Sequence, residues 1–219
     1  MCRIRIFTGH FGSGKTETSI NYALKLAKEG KKTAIVDLDI VNPYFCTRNL
    51  KKQLEGVGIR VISSNPDLVN AELMVVSSEV MTIFNDKSYE VVIDVGGDDT
   101  GAMALGQFNK YFKQEEYEMY FVININRPLT STIEDIEEFI KNIERASRLK
   151  ISKLISNTNM SYETDVNDIL NGDKLVEILS QKIKIPYKYT VCRKDLLKNI
   201  KGKVHGDIFP IDIYMKVNW

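Results

Sequence analysis

Ile4-Arg-Ile-Phe-Thr8-Gly9-His-Phe-Gly-Ser-Gly14-Lys15-Thr16 is the stretch that decides the fold. A short strand-like run leads straight into G-x-x-x-x-G-K-T, and a helical pattern follows over residues 16–29. Strand, glycine-rich bend and helix in that order have a physical use. Gly9, Gly12 and Gly14 let the backbone fold around an anion and turn successive N–H groups inward. The helix that opens at Thr16 adds the positive end of its dipole. Lys15 reaches β- and γ-phosphates as a point charge, and the Thr16 hydroxyl offers an oxygen to Mg²⁺. Ser13, in the bend, and Glu17, in the first turn of the helix, are counted with them among the nucleotide-binding residues. The bland alternative is a glycine-rich turn with a surface lysine.

Working outward, short apolar runs alternate with helical patterns, the rhythm of a parallel sheet with crossover helices. Strands are expected at Ile4–Thr8, Thr33–Leu38, Ile59–Ile62, Tyr89–Val95, Met119–Ile125, Ile151–Ser156 and Tyr187–Val191. Helices are expected near 16–29, 44–55, 70–85, 102–114, 130–148 and 165–183. In the clearest, Ile133, Ile136, Ile140 and Ile143 share a face, with acids loading its first half and bases its second. The expected fold is α/β, a mostly parallel sheet of about seven strands with helices on both faces. No linker or repeat interrupts residues 1–219, which read as one domain. Arg3 and Arg5 fit poorly in a strand buried on both faces. Either they occupy an exposed starting end or the strand is less central than the rest implies.

Two acidic strand ends complement the bend. Val91-Val-Ile-Asp94 closes an apolar run with a carboxylate suited to Mg²⁺, directly or through water. Gly96 and Gly97 follow, and a backbone N–H there can sense a γ-phosphate. An acid in that position can also simply cap the next helix. Asp37 and Asp39, two apart on an extended chain, point to the same side. They can serve a metal, or put one acid near the metal and the other near an attacking water. Two bare carboxylates repel, so a cation beside them is expected.

Composition narrows the function classes. With 219 residues, 43% of them hydrophobic, the chain can build a sizeable core without staples. Cys2, Cys46 and Cys192 are far apart and odd in number, against a disulfide framework and in favour of a reducing compartment. Thirty basic against 29 acidic residues give a net charge of +1, and no basic stripe favours nucleic acid. The first residues carry no secretory pattern and no window reaches 18 apolar residues, so a soluble, cytoplasmic protein is expected.

Gly9–Thr16, Asp37-Leu-Asp39 and Asp94-Val-Gly-Gly97, in this order and on these strand ends, resemble the MinD/ParA/CobQ class of P-loop ATPases. The likeness covers most of the chain, since Asn124–Pro128 and Ile155–Thr158 also fall where that class has strand ends. It implies ATP and Mg²⁺ as ligands, with Lys15, Asp39 and Asp94 catalytic and Thr16, Asp39 and Asp94 at the metal. Asp39 would orient the hydrolytic water, with Asp37 as its partner near the nucleotide. Asn157 would contact adenine, and a loop near Val191–Asp195, Arg193 included, would cover the base. The guanine-reading N-K-x-D is absent, for the chain has Asn157-Thr-Asn-Met160.

One departure stands out. His10 occupies the position of the class's signature lysine, the cation that reaches a partner's ATP. A neutral imidazole cannot replace it, which leaves Arg48, Arg127 or Arg193 as substitutes, or slow hydrolysis. His10 can equally be a loop residue with no role. Asn42–Arg48 sits where a switch or substrate loop would be, with Pro43 turning the chain. The leading expectation is a weak ATPase whose ATP or ADP state is read by a protein partner or a second copy. The alternatives are a kinase or ligase for a small carboxylate, and an ATP-dependent accessory factor for another enzyme. The apolar C-terminal stretch from Ile208 carries Pro210 and one basic residue, Lys216. It is expected to pack back onto the domain rather than onto a membrane.

Overall fold

The computed structural model describes residues 2–39, 47–63 and 79–215. Eight strands form one parallel sheet: β1 Ile4–Thr8, β2 Thr33–Leu38, β3 Arg60–Ser63, β4 Glu90–Val95, β5 Tyr117–Ile123, β6 Lys153–Ser156, β7 Tyr187–Arg193 and β8 Asp207–Ile211. Their order is β3-β2-β4-β1-β5-β6-β7-β8. The helices are α1 Lys15–Lys28, α2 Lys51–Gly56, α3 Val80–Asn85, α4 Asp99–Gly106, α5 Asn109–Phe112, α6 Ile133–Ser147, α7 Val166–Ile183 and α8 Leu197–Ile200.

Alternation along each strand divides the core into two layers. On one face Ile4, Ile6, Val36 and Ile93 pack with Leu105 of α4, Ile136 and Ile140 of α6, and Val176 of α7. On the other, Phe7, Ile35 and Val92 pack with Ile20, Tyr22 and Ala23 of α1. The same alternation assigns Asp37 and Asp94 to the α1 face. β1 therefore sits between β4 and β5, with α1 leaving to one face and α6 to the other. In open α/β sheets ligands bind in the crevice at such a point, beyond the carboxyl ends of the strands.

Three expectations change. The sheet has eight strands, because Asp207–Ile211 adds an edge strand beside β7, from Tyr189↔Asp207 to Arg193↔Ile211. Pro210 lies within it, which an edge tolerates because the N–H that proline lacks would face away from the sheet. The helix expected over 102–114 is two pieces, α4 and α5, and α4 begins earlier because Asp98 caps it by accepting from the Gly101 N–H at 2.8 Å. The arginines divide: Arg3 sits partly exposed just before the start of β1, whereas Arg5 lies within this central, wholly buried strand and is only 5% exposed. Acids cover them. Arg3 Nη2 donates to Glu115 Oε2 at 2.7 Å and to the Ile83 carbonyl at 3.0 Å. Arg5 pairs with Glu90 and lies 5.8 Å from the centre of the Tyr22 ring.

The helices expected over 44–55 and 70–85 are described only in part, as a 3₁₀ turn at Thr47–Leu50 leading into α2 and as α3. Residues 44–46 and 70–78 lie outside the described residues. Asp173 on α7 fixes the turn that feeds β8. Its carboxylate accepts from Tyr187 Oη and Thr190 Oγ1, both at 2.8 Å, and from the His205 N–H at 3.0 Å. No described helix is long and apolar enough to cross a membrane.

Candidate nucleotide site

The loop after β1 ends at Gly14, whose φ of 80° puts the residue before α1 in the left-handed region. A Cβ there would lie 2.1 Å from Asn157 Nδ2, so glycine is required twice over. No side chain caps α1. Its first N–H groups and the positive end of its dipole are thus offered to a ligand. Side chains from two neighbouring strand ends hold the loop. Asn157 Nδ2, after β6, donates to the Ser13 carbonyl at 2.7 Å. Asn124 Nδ2, after β5, donates to the Gly12 carbonyl at 3.2 Å.

Beneath α1 the acids meet. Asp37 and Asp94 stand directly opposite on β2 and β4, 1% and 0% exposed. Ser19 Oγ of α1 and Thr47 Oγ1 donate to the two oxygens of Asp94, each at 3.3 Å. The Asp39 N–H donates to Asp37 Oδ1 at 3.0 Å, which fixes the turn between the two acids. Lys15 Nζ reaches to 3.9 Å from Asp39 Oδ2. Burial, reinforced by the Asp37 carboxylate, pushes Asp94 up to about 7, against the pull of the Lys15 ammonium and a hydrogen bond from Thr16. Ligand-free, the site tends to hold a proton on Asp94, and a divalent cation would displace it.

The donor set suits Mg²⁺, a hard ion that takes one or two protein oxygens and completes its shell with phosphate and water. Among the described residues no three His, Cys, Asp or Glu side chains are grouped to hold a metal unaided. The loop after β4 lies against the glycine-rich loop. A Cβ on Gly97 would lie 2.6 Å from the Gly9 carbonyl oxygen and 2.8 Å from the Phe11 nitrogen. The two loops are in backbone contact there, and only glycine permits it.

A cleft of about 230 Å³ runs from Gly12, Lys15 and Thr16 past Asn157 and Asn159 to Ile211, Ile213 and Met215. Glu17 lines it, but its carboxylate accepts the Tyr214 and Met215 N–H groups at 2.7 and 3.0 Å. Asn21 and Asp212 exchange two further bonds, each 2.9 Å. The chain after β8 is thus strapped along α1 and forms the far wall. Up to Met215 this stretch packs back onto the domain, as the sequence led one to expect; its part in lining the cleft was not foreseen, and the alternation of Ile211, Ile213 and Met215 was the signal available. Arg193 sits outside the main cleft, in a smaller recess behind Asn157. It is bound to both oxygens of Asp195, at 3.0 and 2.8 Å, and to the Ser161 carbonyl at 2.8 Å.

His10 packs edge-on against Phe139 with ring centres 5.1 Å apart. Burial, with the charges of Lys15 and Arg127, holds its pKa below the ordinary histidine value. Residues 40–46, with Tyr44 and Cys46, and the side chain of Arg48 lie outside what is described.

The fold and this arrangement can be set against known proteins. FtsY from Mycoplasma mycoides superposes with a TM-score of 0.60 at 19% identity, over 86% of this chain and 59% of that one. The signal recognition particle receptor FtsY from Elizabethkingia anophelis, in complex with GDP, gives 0.53 at 16%, over 86% and 56%. A nucleotide-binding protein from Archaeoglobus fulgidus, in complex with ADP, gives 0.50 at 17%, over 90% and 85%. The chain thus spans about three fifths of the length of the FtsY structures, and at these identities the likeness speaks for the fold. A search of curated protein sequences returned no match. The model of the CobQ/CobB/MinD/ParA nucleotide-binding domain matches residues 4–199, and the chain belongs to that family.

Proposed function

We propose that this protein binds ATP with Mg²⁺, hydrolyses it slowly, and presents its nucleotide state to a protein partner or a second copy. The observation that carries the reading is the meeting of Lys15, Asp39 and the buried Asp94 at the head of an uncapped helix. Backbone N–H groups of Gly9–Thr16 hold the phosphates and Lys15 spans the β- and γ-groups. Thr16 and Asp94, with Asp39 beside them, hold the metal, which when bound neutralises charge on the phosphate oxygens. Asp39, fixed through Asp37, accepts a proton from the attacking water and orients it. Asn157 meets the base, and the absence of N-K-x-D favours adenine over guanine. Gly97 touches the phosphate loop, so loss of the γ-phosphate is transmitted to residues 94–101. The chain acts as one domain, and it works in the cytoplasm.

The test separates binding from turnover. Asp39→Ala should retain Mg²⁺-ATP in equilibrium binding yet slow hydrolysis by roughly 100-fold or more. Turnover equal to wild type would remove Asp39 from the proposed role. Turnover that rises with a small carboxylate, and not with a protein, would favour the kinase or ligase reading.

A further inference from the structure

His10 packs its ring edge-on against Phe139, and the structure shows where a cation stands at the phosphate loop. Arg127 follows β5 in the segment Asn124-Ile-Asn-Arg127-Pro128. Its Nε donates to the Gly12 carbonyl at 3.2 Å, the one protein hydrogen bond its guanidinium makes among the described residues. The group lies close against the loop: a Cβ on Gly12 would be 2.8 Å from Nε and 3.1 Å from Cζ. Any side chain at Gly12 would expel the arginine. The other two candidates differ, since Arg193 is held by Asp195 and the Arg48 side chain is outside what is described.

Local chemistry aims the guanidinium. Pro128 follows directly and begins a short 3₁₀ turn, and Thr130 Oγ1 closes that turn onto the Asn124 carbonyl at 2.7 Å. Asn124 itself bonds Gly12, so the segment bearing Arg127 and the phosphate loop are one braced unit. Arg127 lines the same cleft as Gly12, Lys15 and Thr16. A planar group with unused N–H donors at the mouth of a phosphate cradle is suited to bidentate contact with phosphate oxygens.

We propose that Arg127 is the cation that contacts the β–γ end of the bound triphosphate from within the same chain, replacing one that a partner would otherwise supply. The inference rests on the nucleotide reading above. It adds that charge stabilisation at the γ-phosphate is built into a single subunit. Turnover then does not require a second copy.

The test compares Arg127→Ala and Arg127→Lys with wild type, using ADP and a non-hydrolysable ATP analogue, each with Mg²⁺, as probes. Arg127→Ala should bind ADP within about threefold of wild type but the triphosphate analogue roughly 10-fold or more weakly. Its turnover should fall by roughly 100-fold or more. Arg127→Lys should recover part of both losses, and added guanidinium should partly rescue the alanine variant. Equal loss of ADP and analogue would make Arg127 a brace for the loop and overturn the proposal, as would wild-type behaviour of Arg127→Ala. Wild-type turnover that rises with protein concentration would also overturn it. Failure of the wild type to bind either probe refutes the nucleotide reading itself, a result distinct from all of these.

Discussion

At the amino end of β1 each arginine meets its own acid, the partly exposed Arg3 with Glu115 and the buried Arg5 with Glu90. At the carboxyl end of the same strands Asp94 meets another acid, Asp37, across the β2–β4 register, and keeps its proton up to about pH 7. The two ends differ in charge balance: each arginine has its own acid, whereas Asp37, Asp39 and Asp94 gather near the single ammonium of Lys15. Where the charges match, as around Arg3 and Arg5, they serve the strand. Where acids outnumber Lys15 below an uncapped helix, the proposed Mg²⁺-nucleotide would add balancing charge, and its binding would relieve part of the cost of burying them.

That contrast can be broken from either end. The largest effect belongs to Lys15→Ala. It should weaken Mg²⁺-ATP binding by roughly 10³-fold, about 4 kcal/mol, while circular dichroism stays unchanged. At the closed end Arg5→Met leaves Glu90 without its buried partner and should lower unfolding free energy by about 3 kcal/mol, with ATP affinity preserved. Adding Glu90→Leu should restore much of that stability, since the pair contributes by being matched. Chemical denaturation of the single and double variants reads both values.

Asp94→Asn probes the open end through pH. A carboxyl whose folded pKa lies above its unfolded value contributes stability at low pH and loses it as pH rises through the folded value. Ligand-free wild type should therefore lose stability between about pH 4 and 7, from the 3.8 of an ordinary aspartate to the raised value. The variant should lack that slope and be more stable by about 2 kcal/mol at pH 8. Mg²⁺-ATP should stabilise wild type far more than the variant in the same thermal melts. The smallest effect is expected from Glu17→Gln, which replaces one of the two acceptors for the Tyr214 and Met215 N–H groups by a donor. A loss of about 1 kcal/mol and faster amide exchange at those residues should accompany a few-fold drop in ATP affinity.

The open end was legible in the sequence because its parts are local. Gly9–Thr16, Asp37-Leu-Asp39 and Val91–Asp94 are contiguous patterns whose spacing carries their geometry, and the structure brings them together as that spacing implies. The closed end was not legible. Nothing near Arg3 points to Glu115, 112 residues away, and sheet pairing alone brings them together. The same holds for β8, which pairs with β7 through a segment whose proline argues against a helix without naming a strand. The strap after β8 was legible as a stretch packing back onto the domain, but its anchors on α1, Glu17 and Asn21, were not. Arg127 stood among three candidate cations in the sequence, and only its contact with Gly12 sets it apart.

The most direct measurement is calorimetric titration of the purified protein with ATP and with GTP, each with and without Mg²⁺, near pH 7. The account predicts one saturable site per chain for ATP, strengthened by Mg²⁺, weaker for GTP and lost in Lys15→Ala. Absence of binding for both nucleotides, or equal binding by Lys15→Ala, would contradict it.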